Sequence, residues 1–103
     1  MKIKNIFDKI KGKEIIIIGD SMVDSYVIGE INRNSPEAPV PIVDIQKEEA
    51  KLGGAANVAL NIQSLGMKPI LCSVIGEDED GKNFLEICND NNLDTSGILV
   101  DSE

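Results

Sequence analysis

Two aspartates, Asp20 and Asp24, close the stretch IIIIGDSMVD directly after a strongly apolar run. In open α/β sheets ligands bind just beyond the carboxyl ends of the strands, where both residues would fall. A carboxylate accepts two hydrogen bonds and suits a pair of sugar hydroxyls. Solvated loop acids would look the same. A second stretch, GGAANVALNIQSLG (Gly53–Gly66), opens a helix on two glycines and brings Asn57 one turn in. The first N–H groups of a helix lack internal partners. Glycines leave those groups bare, so a ligand oxygen can reach them. Asn57 would add a donor and an acceptor. A tight turn with close helix–sheet packing explains the same glycines and the alanines that follow. On residue types alone both readings stand.

Two better-known phosphate motifs fail. GEDEDGKN (Gly76–Asn83) fits the opening of a G-x-x-x-x-G-K loop, but Asn83 stands where Ser or Thr is needed. Its acidic residues would also repel a triphosphate, so it reads as a βα turn with helix-capping carboxylates. The first strand is followed by GDSMVD rather than G-x-G-x-x-G, which removes the dinucleotide fingerprint.

The elements that must position these residues follow from periodicity. EIIII (Glu14–Ile18) is a continuous β-branched run, the pattern of a parallel strand buried on both faces. SYVIGEI (25–31) and PIVDIQKEE (41–49) alternate and read as exposed strands. Between them NRNSPEAPVP carries Arg33 and is too rich in proline for helix or central strand. In the Gly53–Gly66 segment, Val58, Ile62 and Leu65 recur at helical spacing beside Ala55 and Ala59, which predicts a buried face ended by Gly66. PILCSVIG (69–76) is a second buried strand. A helix over 80–91 carries Phe84, Ile87, Cys88 and Asn91 on one stripe, and GILV (97–100) is a third strand. Alternating strands and helices give an α/β fold with a parallel sheet, from which the two exposed strands project as a small β insertion.

Composition excludes several function classes. The chain has 103 residues, enough for one domain or part of one. Its net charge of −8 repels nucleic acid and anionic membrane. It has no His, which removes the commonest general base and metal ligand. Cys72 and Cys88 match no zinc spacing and read as structural thiols of a reducing, cytoplasmic compartment. There is no long apolar span for a transmembrane helix. MKIKNIFDKIKGK is basic and amphipathic, with Ile3, Ile6, Phe7 and Ile10 on one face of a short surface helix, and it lacks the apolar core of a secretion signal.

Gly53, Gly54, Ala55, Asn57 and Ala59, followed by Gly66 and Gly76, resemble the first signature of the ribokinase-like (PfkB-type) carbohydrate kinases. The G-x-D-x-x-G at Gly76, Asp78 and Gly81 is also usual there, and the resemblance covers about 14–100. Within the family, GDSMVDSYVIGEINRNSPEAPVPIVDI looks like the branch of heptose 7-phosphate kinases, which serve ADP-heptose and surface polysaccharide synthesis. The resemblance implies a Rossmann-like parallel sheet flanked by helices, with strands 25–31 and 41–49 as a lid. It implies a sugar phosphate substrate gripped by Asp24, Gly53, Gly54 and Asn57, with Asp20 nearby, and ATP with Mg²⁺ as phosphoryl donor. Arg33, whose planar fork suits phosphate, would touch the substrate's 7-phosphate, within one chain or across a homodimer formed by the lid strands, or serve in a structural ion pair.

The resemblance fails at one place. The family's catalytic base is an Asp in a G-A-G-D motif near the C-terminal end, and no G-x-G-D occurs here. The chain therefore reads as the N-terminal part of a kinase domain, with the base and the ATP-binding part beyond Glu103, and is expected to be inactive by itself.

Overall fold

The computed structural model describes residues 2–102, apart from the side chains of Asn32 and Gln46. The elements follow in the order α1 (Ile3–Ile10), β1 (Glu14–Ile18), β2 (Ser21–Asn34), β3 (Pro41–Gly54), α2 (Ala55–Ser64), β4 (Lys68–Gly76), α3 (Glu79–Asp90) and β5 (Ile98–Asp101). Strands β1, β4 and β5 form a parallel sheet in the order β1-β4-β5, with Ile16 opposite Ile70 and Ser73 opposite Ile98. Strands β2 and β3 form a separate antiparallel ribbon. The α/β architecture with a β insertion is thus the one expected.

Helices α2 and α3 supply the crossovers that parallel neighbours require. They pack on one sheet face, around a core of Leu52, Ala56, Ala59, Leu71, Phe84, Cys88 and Leu93. The opposite face is bare: Ile16 is 64% exposed, Ile18 82%, Val74 60% and Leu99 67%. The expectation that EIIII is buried on both faces is therefore corrected: the outer side is bare, and on the inner side Ile15 is still 38% exposed and Ile17 only partly buried. Only Ile17, on the inner side, packs against the core. No element among the described residues covers the outer side.

Two further expectations are corrected. The buried stripe of α2 is made by Ala56 and Ala59, while Val58 and Leu65 lie 48% and 43% exposed. Close approach of α2 to the sheet selects its smallest side chains at the contact, so that Val58 and Leu65 turn outward while Leu60 packs partly buried against the core and Ile62 is half-buried. Gly66 ends the helix as expected, at φ 94°. The lid strands also extend beyond 25–31 and 41–49. They pair from Ser21 opposite Gly54 out to Asn34 opposite Pro41, with register shifts at Ile28/Gly29 and Ile31/Arg33. Val23 and Leu52, opposite each other, face the core and carry the alternation inward. The proline-rich connection shrinks to 35–40, closed by the Ser35 N–H donating to the Val40 carbonyl at 2.7 Å. Arg33 lies in β2, not in that connection.

The start of α3, which contains the Gly81-Lys82 pair, is acid-capped. The Asp78 carboxylate accepts from the Gly81 N–H at 2.8 Å, and Glu79 and Asp80 occupy the first turn, where the helix dipole favours anions. Helix α1 leaves Ile3, Ile6 and Phe7 exposed, as a surface helix. No helix among the described residues is long and apolar enough to cross a membrane.

Two outcomes check this packing. Ala59→Leu overfills the helix–sheet contact and should cost about 1–3 kcal/mol in urea denaturation. Val58→Ala, on the exposed side, should stay within about 0.5 kcal/mol. Burial pushes the Cys88 thiol up to about 11, so only Cys72 should react with a thiol reagent while the chain is folded.

Candidate functional site

The paired glycines sit where β3 turns into α2. Gly54 caps the helix at φ +61° and ψ −136°, a conformation that L side chains rarely adopt. A Cβ there would strike the Asp20 carbonyl oxygen. That carbonyl accepts the first helical N–H, from Ala55, at 2.8 Å. At Gly53 a Cβ would lie 2.6 Å from Oδ2 of Asp24 and 2.8 Å from Cγ of Met22. Both glycines therefore serve close approaches within the chain. One lets the β1–β2 corner meet the helix start, and the other gives the Asp24 carboxylate room to lie flat on the backbone of β3.

The consequence is a cleft of about 440 Å³ between the base of the ribbon and the two helices. Asp24 and Tyr26 of β2, Lys51 of β3, Asn57 of α2 and Asn91 at the end of α3 give it its polar groups. Asp24 is half-buried, and its carboxylate makes no hydrogen bond or ion pair among the described residues. The Asn57 amide is unspent in the same sense. Asn91 donates from Nδ2 to the Ile87 carbonyl at 2.8 Å, which leaves its side-chain oxygen for the cleft. Lys51 holds its ammonium 5.4 Å from the Tyr26 ring centre and 3.8 Å from Oε2 of Glu49. Lys47 engages Glu49 far more closely, at 2.6 Å. Its hydrogen bond and charge hold the Glu49 carboxyl below the usual range, with Lys51 contributing least. Such a set suits a polar, hydroxyl-rich ligand. It offers an acceptor for paired hydroxyls, amides that donate and accept, and one cation at the rim.

Of the residues selected from the sequence, the structure brings Asp24 and Asn57 to this cleft. Gly53 and Gly54 do not line it: Gly53 lies against Asp24 and Gly54 fixes the turn behind it. Asp20 lies elsewhere, in a hollow of about 330 Å³ on the bare sheet face with Ile18, Cys72, Ser73 and Leu99. Arg33 stands opposite Ile42 near the far end of the ribbon, nine residues from Asp24 and thus roughly 30 Å away at the rise of a strand. Tyr26, Lys51 and Asn91 escape a reading of motifs. The cross-strand register, Asp24 opposite Lys51 and Tyr26 opposite Glu49, is the signal that would have found the first two.

The described residues do not fit a nucleoside triphosphate and its metal. The acid-capped turn at 76–83 opposes phosphate, and no three His, Cys, Asp or Glu side chains among them converge as a metal site.

The model of the pfkB family carbohydrate kinases matches residues 13–103. The bifunctional protein HldE of Helicobacter pylori (strain P12) is 53% identical over 89 residues, covering 86% of this chain and 19% of that protein. HldE of Pelobacter propionicus is 42% identical over 100 residues, covering 97% of this chain and 20% of that protein. The chain thus spans about a fifth of the length of these relatives. Among solved structures, the fructokinase of Halothermothrix orenii superposes with a TM-score of 0.58 at 28% identity, over 88% of this chain and 30% of that one. The nucleoside kinase of Methanocaldococcus jannaschii, an archaeal member of the ribokinase family, gives 0.59 at 23% identity, over 90% and 30%. The fold is ribokinase-like.

The junction and the free carboxylate should separate cleanly in stability. Gly54→Ala forces a Cβ into a left-handed backbone against the Asp20 carbonyl and should cost about 1–3 kcal/mol by chemical denaturation. Asp24→Asn removes no internal bond and should change stability by no more than about 0.5 kcal/mol.

Proposed function

This chain belongs to the pfkB family of carbohydrate kinases, and on that premise we propose that it is the sugar-binding N-terminal portion of a heptose phosphate kinase. The full enzyme would phosphorylate D-glycero-D-manno-heptose 7-phosphate at the anomeric hydroxyl, giving the 1,7-bisphosphate for ADP-heptose synthesis. The observation that carries the reading is the pair of unspent polar groups, the Asp24 carboxylate and the Asn57 amide, facing one cleft at the glycine junction. Identity with the HldE proteins supports the heptose branch over ribose, fructose or a nucleoside.

In this reading Asp24 accepts hydrogen bonds from two sugar hydroxyls and so fixes the ring. Asn57 fixes a third polar group, and Gly53 keeps Asp24 in place. The ribbon acts as a lid. Phosphoryl transfer rests on positioning and electrostatics, so excluding water beneath the lid matters as much as any single contact. ATP, Mg²⁺ and the catalytic Asp belong to sequence beyond this chain, which by itself transfers no phosphoryl group. The reading makes the protein cytoplasmic, with no nucleic-acid or membrane partner.

A second role of the ribbon has its own support. An isolated two-stranded ribbon is marginally stable in water, and this one exposes Val27, Ile31, Val43 and Ile45 at 46–61% along open edges. Pairing of lid strands between two copies would cover them, making the lid a dimerisation element.

Calorimetry on the chain, with heptose 7-phosphate, ribose and fructose as ligands, tests the substrate. Heptose 7-phosphate should bind tightest and Asp24→Ala should abolish its binding. Tighter binding of ribose would overturn the heptose assignment. With ATP and Mg²⁺ added, ³¹P NMR should show no bisphosphate. Turnover by the chain alone would contradict the division of labour proposed here.

A further inference from the structure

A kinase that acts on a sugar phosphate must hold the phosphate its substrate already carries, and Arg33 stands too far along the ribbon to do so within the cleft. We propose that Lys51 is the residue that recognises this phosphate and thereby selects phosphorylated over unphosphorylated sugars. The proposal rests on the reading of the cleft as a sugar site.

Several features carry it. Lys51 is the one cation among the residues lining the cleft, whose other polar members are a carboxylate, two amides and a phenol. Its register partner is Asp24, yet the two form no ion pair. The cleft therefore presents an unpaired carboxylate beside an incompletely neutralised ammonium: one suits hydroxyls and the other a phosphate. Without a cation at that point, the Asp24 charge would repel a ligand phosphate. Finally, Glu49 is committed to Lys47 at 2.6 Å and lies 3.8 Å from Lys51, so most of its charge is spent elsewhere. The Tyr26 ring, which also lines the cleft, lies 5.4 Å from the ammonium. At 66% side-chain exposure Lys51 keeps the mobility of a hydrated point charge that can follow a phosphate on a flexible sugar tail.

The test compares D-glycero-D-manno-heptose 7-phosphate with unphosphorylated D-glycero-D-manno-heptose, by calorimetry on the chain and its variants. Circular dichroism confirms that each variant folds. Lys51→Met should weaken the phosphorylated ligand by about tenfold, the scale of a hydrogen bond to a charged group. It should leave the unphosphorylated ligand within about twofold, and Lys51→Arg should restore most of the discrimination. Arg33→Met should change neither ligand. Asp24→Asn should weaken both, which reports the sugar site itself. If Asp24→Asn weakens both while Lys51→Met changes neither, or weakens both alike, the sugar site stands and the role of Lys51 is overturned. If the unaltered chain binds neither ligand, the sugar site and the role of Lys51 fall together.

Discussion

The carbonyl oxygen of Asp20 is the point on which the molecule turns. It leaves the end of the β1–β2 corner, accepts the first N–H of α2, and tolerates only a glycine at position 54 beside it. This one contact ties together three things that sequence separates: the end of the first sheet strand, the base of the ribbon and the start of the first crossover helix. The neighbouring Gly53 adds the second half of the constraint, because its bare Cα leaves room for the Asp24 carboxylate. The cleft results from this packing. A helix that starts so close to the ribbon, and an aspartate held flat against it, leave an opening in which the Asp24 carboxylate and the Asn57 amide are not used by the fold itself.

That origin explains which parts of the molecule were legible in the sequence. The alternation of strand and helix was plain, because β-branched runs and helical spacing are local signals, and so were the Gly66 stop and the Asp78 cap. The packing of α2 was not. Ranking by hydrophobicity favours Val58 and Leu65 for burial, whereas close approach to the sheet favours Ala56 and Ala59, and distance won. The bare face of β1 was hidden for a different reason: a run of isoleucines reads the same whether one side or both are covered. The inner reach of the ribbon was masked by polar residues, since Asp24 and Lys51 alternate with Val23 and Leu52 and interrupt the apolar pattern where the site begins.

The same alternation accounts for the candidate site. Asp24 and Asn57 stood out because of their places beside a strand end and a glycine pair. Lys51 did not, because its meaning lies in a cross-strand register that no linear motif records. Net charge bears on extended polyanions rather than on one small ligand. A value of −8 does not record a single lysine over a tyrosine ring whose nearest carboxylate is claimed by another lysine.

The glycine junction gathers Asp24, Lys51 and Asn57 around one cleft, which we propose takes a sugar phosphate. Amide NMR of the ¹⁵N-labelled chain, titrated with heptose 7-phosphate, tests it most directly. The account predicts saturable shifts concentrated at Asp24, Lys51, Gly53, Asn57 and Asn91, with Arg33 and the Asp20–Leu99 hollow silent. Shifts centred on that hollow or on Arg33, or no saturable shifts at all, would contradict it.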